Sequence, residues 1–95
     1  MLERDIERKL REGVMALGGQ CWKLVSPGTV GVPDRLVLMP GGRLAFVELK
    51  APGKKERPIQ RVVQARLVAL GFMVFSTVDS MERVNDVLLW CKGVI

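Results

Sequence analysis

Asp34-Arg35-Leu36-Val37-Leu38-Met39, then Pro40-Gly41-Gly42-Arg43, then Leu44-Ala45-Phe46-Val47-Glu48-Leu49-Lys50 is the stretch that decides the fold. Two short apolar runs flank a turn built from one proline and two glycines, which reads as a β-hairpin. If Met39 pairs with Leu44 across a four-residue turn, Asp34 falls opposite Leu49. A one-residue bulge puts it opposite Glu48. In either register Asp34 and Glu48 approach each other at the open end of the hairpin. The two-residue period of a strand also sets Glu48 and Lys50 on one face.

The flanking segments complete a pattern around this hairpin. Residues 3–17 carry Ile6, Leu10, Val14 and Leu17 on one helical stripe, and Gly18-Gly19 ends the helix. Residues 20–25 read as a strand and 26–33, rich in breakers, as a loop. After the hairpin, residues 51–57 form a basic loop with Pro52 and Gly53. Pro58 suits a first helical turn. Ile59, Val62, Val63, Leu67 and Leu70 then follow helical spacing up to Gly71. Residues 72–78 read as a fourth strand. Asp79 with Glu82 matches a capping box for a last helix whose buried stripe is Val84, Val87, Leu88 and Cys91. The order is α-β-β-β-α-β-α, an α/β chain read as a single domain over residues 1–95, with no internal repeat or linker.

Composition narrows the chemistry. The 95 residues include no His and no Tyr. That excludes His-based nucleases, Ser-His-Asp triads, His-ligated zinc and tyrosine phosphodiester transfer. Two cysteines, Cys21 and Cys91, are too few for a disulfide framework or a zinc cage, and each lies in an apolar stretch as a small buried thiol. No segment approaches a membrane span, and the N-terminus lacks the apolar run of a signal peptide, so the expected compartment is the cytoplasm. The net charge is +5, and its excess is local: residues 35–66 hold eight basic side chains against two acidic ones. Such a patch calls for a polyanion, and nucleic acid is the natural one.

Apolar strands seldom end in charges that converge. Two carboxylates a few ångströms apart repel unless a cation lies between them. An oxygen-rich, His-free setting suits Mg²⁺ or Mn²⁺. Such an ion, with Lys50 beside it, could act on a phosphodiester. A plain salt bridge at the strand ends is the competing reading of the same residues.

Pro33-Asp34 followed after thirteen residues by Glu48-Leu49-Lys50 resembles the PD-(D/E)xK nuclease superfamily. More of the chain resembles one branch, the virus-type replication-repair nuclease (VRR-NUC) family. Gly31-Val32-Pro33-Asp34 is similar to its G-x-P-D, and Glu48-Leu49-Lys50-Ala51-Pro52-Gly53 to its E-[VL]-K segment with Pro-Gly. Arg57-Pro58-Ile59-Gln60 is similar to the segment carrying its Gln, and Glu3-Arg4-Asp5-Ile6 to its first-helix Glu. The resemblance implies a restriction-endonuclease-like αβββαβ core with a C-terminal helix and a mixed sheet flanked by helices. It implies Asp34 and Glu48 as ligands of Mg²⁺ or Mn²⁺, with the Leu49 carbonyl as a third and Glu3 as a further contact. Lys50 becomes the catalytic lysine, and Gln60 orients the water or Lys50. Glu7 rivals Glu3, and Gln64 rivals Gln60, each one turn on.

Lys54, Lys55 and Arg57 are expected on the DNA backbone, with Arg61 and Arg66 extending that surface and Ser26 and Thr29 touching phosphate. Trp22 and Trp90 read as core or interface. The expected function is a homodimeric, structure-selective DNA endonuclease of a bacterial cell or phage-infected host, with the four-way junction as substrate. The alternatives are flap, nicking or general duplex cutting, and a non-catalytic DNA-binding module. The exposed side of the last helix and the strand with Phe72, Val74 and Phe75 are candidate dimer surfaces.

Overall fold

A computed structural model of the chain describes residues 1–94. The elements are α1 (Glu3–Ala16), β1 (Gln20–Lys23), β2 (Arg35–Met39), β3 (Arg43–Leu49), α2 (Pro58–Ala69), β4 (Met73–Val78) and α3 (Met81–Cys91), with a 3-10 turn at Pro40–Gly42 between β2 and β3. The four strands form one sheet in the order β1-β2-β3-β4. The first two pairings are antiparallel and β3 with β4 is parallel, because α2 carries the chain back across the sheet.

The hairpin turn is tighter than the four residues drawn from the sequence, and it gives the second of the two strand-end pairings, Asp34 with Glu48. Met39 pairs with Arg43 and Arg35 with Val47, so one further step brings Asp34 level with Glu48. Gly41 and Gly42, both at positive φ, make the short turn possible.

Side chains alternate between two unequal faces. Cys21, Val37, Met39, Ala45, Val47 and Phe75 point to the first face. There they meet Ile6, Leu10 and Val14 of α1 and Val84, Val87 and Trp90 of α3, forming the core. The N-terminus of α1 is closed by Asp5, whose carboxylate accepts from the Leu2 N–H at 2.8 Å. The N-cap of α3 is Ser80, whose hydroxyl accepts from the Arg83 N–H at 3.2 Å, and not the Asp79–Glu82 box expected. Ser80 holds the extended backbone conformation of a cap, one residue later than the sequence pattern suggests. Arg43 closes the other end of α3. It lies 4.5 Å over the Trp90 ring and donates to the Trp90 and Cys91 carbonyls.

The second face is only partly covered. Trp22, Leu36, Phe46 and Val74 stand in one row across the sheet, and Trp22 at its open end is 56% exposed. Phe72 meets Phe46 edge-on at 5.6 Å. Among the described residues, the helix on this side is α2, which packs on β4. Its buried positions are Gln60, Val63 and Gln64, whereas Ile59, Val62 and Leu70 of the expected apolar stripe are exposed. At the start of α2 the inner surface is polar where Gln60 faces Glu48. Phe75, grouped by sequence with Phe72 and Val74 as a candidate dimer surface, lies on the opposite face and is buried. A strand sends neighbouring side chains to opposite faces, so the three cannot form one surface.

Candidate active site

The site lies where β2 begins, β3 ends and α2 starts. The Asp34 Oδ1 atom accepts from the Leu49 N–H at 3.1 Å, which ties the two strand ends together. Glu48 is buried, with its Oε2 atom accepting from Gln60 Nε2 at 3.0 Å and 3.2 Å from Lys50 Nζ. Gln60 Oε1 accepts from Lys50 Nζ at 2.9 Å and from the Arg57 N–H at 2.8 Å. One amide therefore orients a carboxylate, an ammonium and the first turn of its own helix.

The other carboxylate oxygen, Glu48 Oε1, is buried with no hydrogen-bond partner. A buried, unpartnered carboxylate oxygen is costly unless something positive occupies its lone pairs. Electrostatics agree. Burial raises the Glu48 carboxyl above its ordinary pKa, and the neighbouring Asp34 charge raises it further, against the lowering effect of Lys50. Burial likewise raises Asp34, opposed by the Leu49 N–H and Arg35, with Glu3 adding to the rise. A divalent cation between these carboxylates would reverse both shifts, so the donor set fits one. Among the described residues, no three His, Cys, Asp or Glu side chains converge as a ligand cluster.

The sequence-derived candidates divide accordingly. Asp34, Glu48, Lys50 and Gln60 come together with the Leu49 backbone. Glu3 is exposed and outside this hydrogen-bonded group, although its charge acts on Asp34. Its rival Glu7 stands 3.6 Å from both Arg11 and Arg35 on the first face of the sheet. Gln64 is buried beside Val63, with its amide nitrogen unpartnered. Lys54, Lys55, Arg57 and Arg61 are exposed along the loop and first turn next to the site, as is Thr29 in the loop before Asp34. Ser26 is half-buried, and its carbonyl accepts from the Thr29 N–H at 3.3 Å. Trp90 belongs to the core, and Trp22 to the open face. Both cysteines are buried, and burial pushes both thiols up, that of Cys21 to about 11, which disfavours the reactive thiolate.

Glu56 and Thr77, outside every sequence motif, lie beside the site. Glu56, just before α2, accepts from the Thr77 N–H and from its hydroxyl. The acid in Lys54-Lys55-Glu56-Arg57 carries no sequence signal beyond a solvated charge. A second packing contact sits opposite. Gly31 has φ +91°, and a Cβ there would lie 2.9 Å from the Ile59 carbonyl oxygen. Gly31→Ala is therefore expected to cost about 1–3 kcal/mol in a urea melt, because both the backbone and the first turn of α2 must give.

An α/β sheet whose two carboxylates and lysine gather at adjacent strand ends is the architecture of a nuclease domain. The comparisons agree. Over 80 residues the chain is 50% identical to Putative nuclease p44 of Acyrthosiphon pisum secondary endosymbiont phage 1, covering 84% of this chain and 85% of that protein. A solved structure described as a VRR_NUC domain superposes with a TM-score of 0.82 at 33% identity, covering 90% of this chain and 92% of that one. No family model matches the chain. The chain belongs to the VRR_NUC family of nuclease domains. Among the described residues, no helix is long and apolar enough to cross a membrane.

Proposed function

We propose that the protein is a metal-dependent DNA endonuclease that cuts four-way junctions as a homodimer, by hydrolysis with an activated water. The unpartnered, buried Oε1 atom of Glu48 beside Asp34 is the observation that carries this reading. Asp34 and Glu48 would hold the cation, with the Leu49 carbonyl and Glu3 as further oxygen donors, and Mg²⁺ or Mn²⁺ suits such donors. The ion supplies Lewis-acid polarisation of the phosphodiester and a more acidic water.

The chain's own residues do the rest. Gln60 holds Lys50 against Glu48, so the ammonium stays fixed at the reacting centre. There Lys50 can hydrogen-bond the attacking water or neutralise charge gathering on the phosphate oxygens. Lys54, Lys55, Arg57 and Arg61, with Ser26 and Thr29, would contact the DNA backbone and contribute affinity without reading sequence.

The open sheet face supports the dimer. Trp22 at the end of the row is exposed, Leu36 and Phe46 beside it are only half-buried, and Ile59 and Val62 of α2 are exposed, so apolar side chains remain for a second copy to cover. A two-fold pair would carry two active sites, which suits paired cuts in a symmetric branched substrate.

The test is a labelled four-way junction beside a matched linear duplex, each with Mg²⁺, Mn²⁺ or EDTA, and sedimentation equilibrium on the same preparation. Paired cuts confined to the junction, abolished by EDTA, from a species of twice the chain mass are the expected result. Cuts in both substrates would replace the junction with general duplex cleavage. Tight binding without cleavage under any metal would leave a DNA-binding module.

A further inference from the structure

Thr77 is the one non-glycine among the described residues with positive φ, at 49°. A β-branched side chain is poorly suited to the left-handed region, so something must hold it there. The place is specific. Val47 pairs with Phe75, but Leu49 pairs with Val78, so β4 carries one extra residue opposite Glu48. This β-bulge includes Ser76 and Thr77, and bulges re-aim the side chains around them.

The bulge is pinned on both sides. Arg83 Nη2 donates to the Ser76 carbonyl at 2.8 Å, from the first turn of α3. On the other side both donors of Thr77 go to one carboxylate. Its N–H donates to Glu56 Oε1 at 2.5 Å, and its hydroxyl to Glu56 Oε2. Burial acts to raise the Glu56 carboxyl, but these donors outweigh it and leave the pKa lowered, so the group is ionised at neutral pH. Beyond the bulge the ladder resumes, with the Lys50 N–H donating to the Val78 carbonyl at 3.1 Å.

Glu56 precedes Arg57, whose N–H donates to Gln60 Oε1, and the same oxygen accepts from Lys50. The basic loop has one short turn of its own, from the Lys54 N–H to the Ala51 carbonyl. The Glu56 carboxylate is thus the tie between that loop and the sheet, placed directly before the residues that orient the site.

We propose that the Glu56–Thr77 clasp is a positioning device for the nuclease centre. It fastens loop 51–57 to the β4 bulge, so that Gln60 and Lys50 are held at Glu48. Glu56 and Thr77 act through Gln60 and do not touch substrate. The inference rests on the nuclease reading for its consequence, and on the clasp geometry alone for its structural half.

The experiment measures two quantities on the full chain: cleavage kinetics, and the rate of tryptic nicking after Lys54 and Lys55. Glu56→Ala is expected to raise nicking ~10-fold, because the loop opens locally. It should lower kcat ~10- to 100-fold with KM within about 3-fold, since misplacement of the reacting groups, not DNA affinity, is what changes. Glu56→Gln can still accept from the Thr77 N–H and pair with its hydroxyl, and Thr77→Ser keeps both donors. Both should restore most of the turnover and protection. Thr77→Val keeps the branched shape and loses only the hydroxyl. It should fall between these limits, and it serves if Glu56→Ala does not fold.

Wild-type kcat in Glu56→Ala would overturn the proposal, as would a loss of kcat without faster nicking. Glu56→Gln as impaired as Glu56→Ala would also overturn it, because charge and not the clasp would then be the cause. If the wild-type protein cuts no DNA, the nuclease reading fails separately, and an unchanged nicking rate in Glu56→Ala would sink the clasp on its own.

Discussion

Lys50→Ala is expected to lower the cleavage rate by ~10³-fold while changing DNA affinity by no more than about 3-fold. The reason is the way Lys50 is spent. Its ammonium is largely buried and already bonded to Gln60 Oε1 at 2.9 Å and close to Glu48 Oε2 at 3.2 Å. A cation held between two protein acceptors is a poor general anchor for DNA, because its charge is already met by Glu48 and few counterions are released when the polyanion arrives. Its fixed position next to the carboxylates is instead suited to a charge that develops during the reaction. Affinity comes from the exposed Lys54, Lys55, Arg57 and Arg61, which remain. Single-turnover cleavage and fluorescence anisotropy with a Ca²⁺-loaded complex separate the two quantities. A parallel fall in binding and cutting would make Lys50 a phosphate anchor.

Asp34→Asn should stabilise the metal-free protein and remove its response to divalent ions. Asp34 and Glu48 each stand above their ordinary pKa, first from burial, so the ionised forms oppose folding. The amide keeps an oxygen to accept the Leu49 N–H, removes one of two repelling charges and leaves Glu48 to balance Lys50. A gain of about 1 kcal/mol is expected, or ~4–8 °C in Tm for a chain of this length.

The sign with pH follows from linkage. A carboxyl raised in the folded state favours folding while protonated, and that contribution is lost as pH rises through its folded pKa. The advantage of Asp34→Asn over wild type should therefore be absent in strong acid. It should grow as pH rises from the ordinary 3.8 of an aspartate through the raised value, and then level off. Glu56 works the other way, its lowered pKa withdrawing stability as pH falls, but it is common to both proteins and cancels. Adding Mg²⁺ or Mn²⁺ at neutral pH should raise the Tm of wild type and not of Asp34→Asn. Equal shifts in the two proteins would mean that the cation binds elsewhere.

Much of this centre is legible in the sequence for a simple reason. Strand alternation and a glycine turn constrain Asp34, Glu48 and Lys50 to one end of a hairpin, so local rules suffice. Even there, pattern alone left the register open between a four-residue turn and one with a bulge, and the turn that forms is shorter than both. Gln60 follows from family resemblance and one helical turn after Pro58. The helix itself follows from its apolar spacing, but which side of α2 faces inward is decided by tertiary context: Ile59, Val62 and Leu70 share helical spacing, yet the helix turns Gln60 and Gln64 inward. Periodicity measures where apolar residues lie, not which surface they face. Glu56 and Thr77 were beyond local rules altogether, because a bulge in a parallel pair is set by the two strands it separates.

The two faces of the sheet also divide the labour of folding. The face under α1 and α3 carries nearly all the fully buried apolar side chains, whereas α2 contributes Val63 and two buried glutamines. Cohesion thus resides in one half of the molecule and chemistry in the other. Such a chain can alter loop 51–57 and the outer surface of α2 without disturbing what makes it fold. New substrate preferences can then arise by sequence drift on one side of a scaffold that the other side keeps intact.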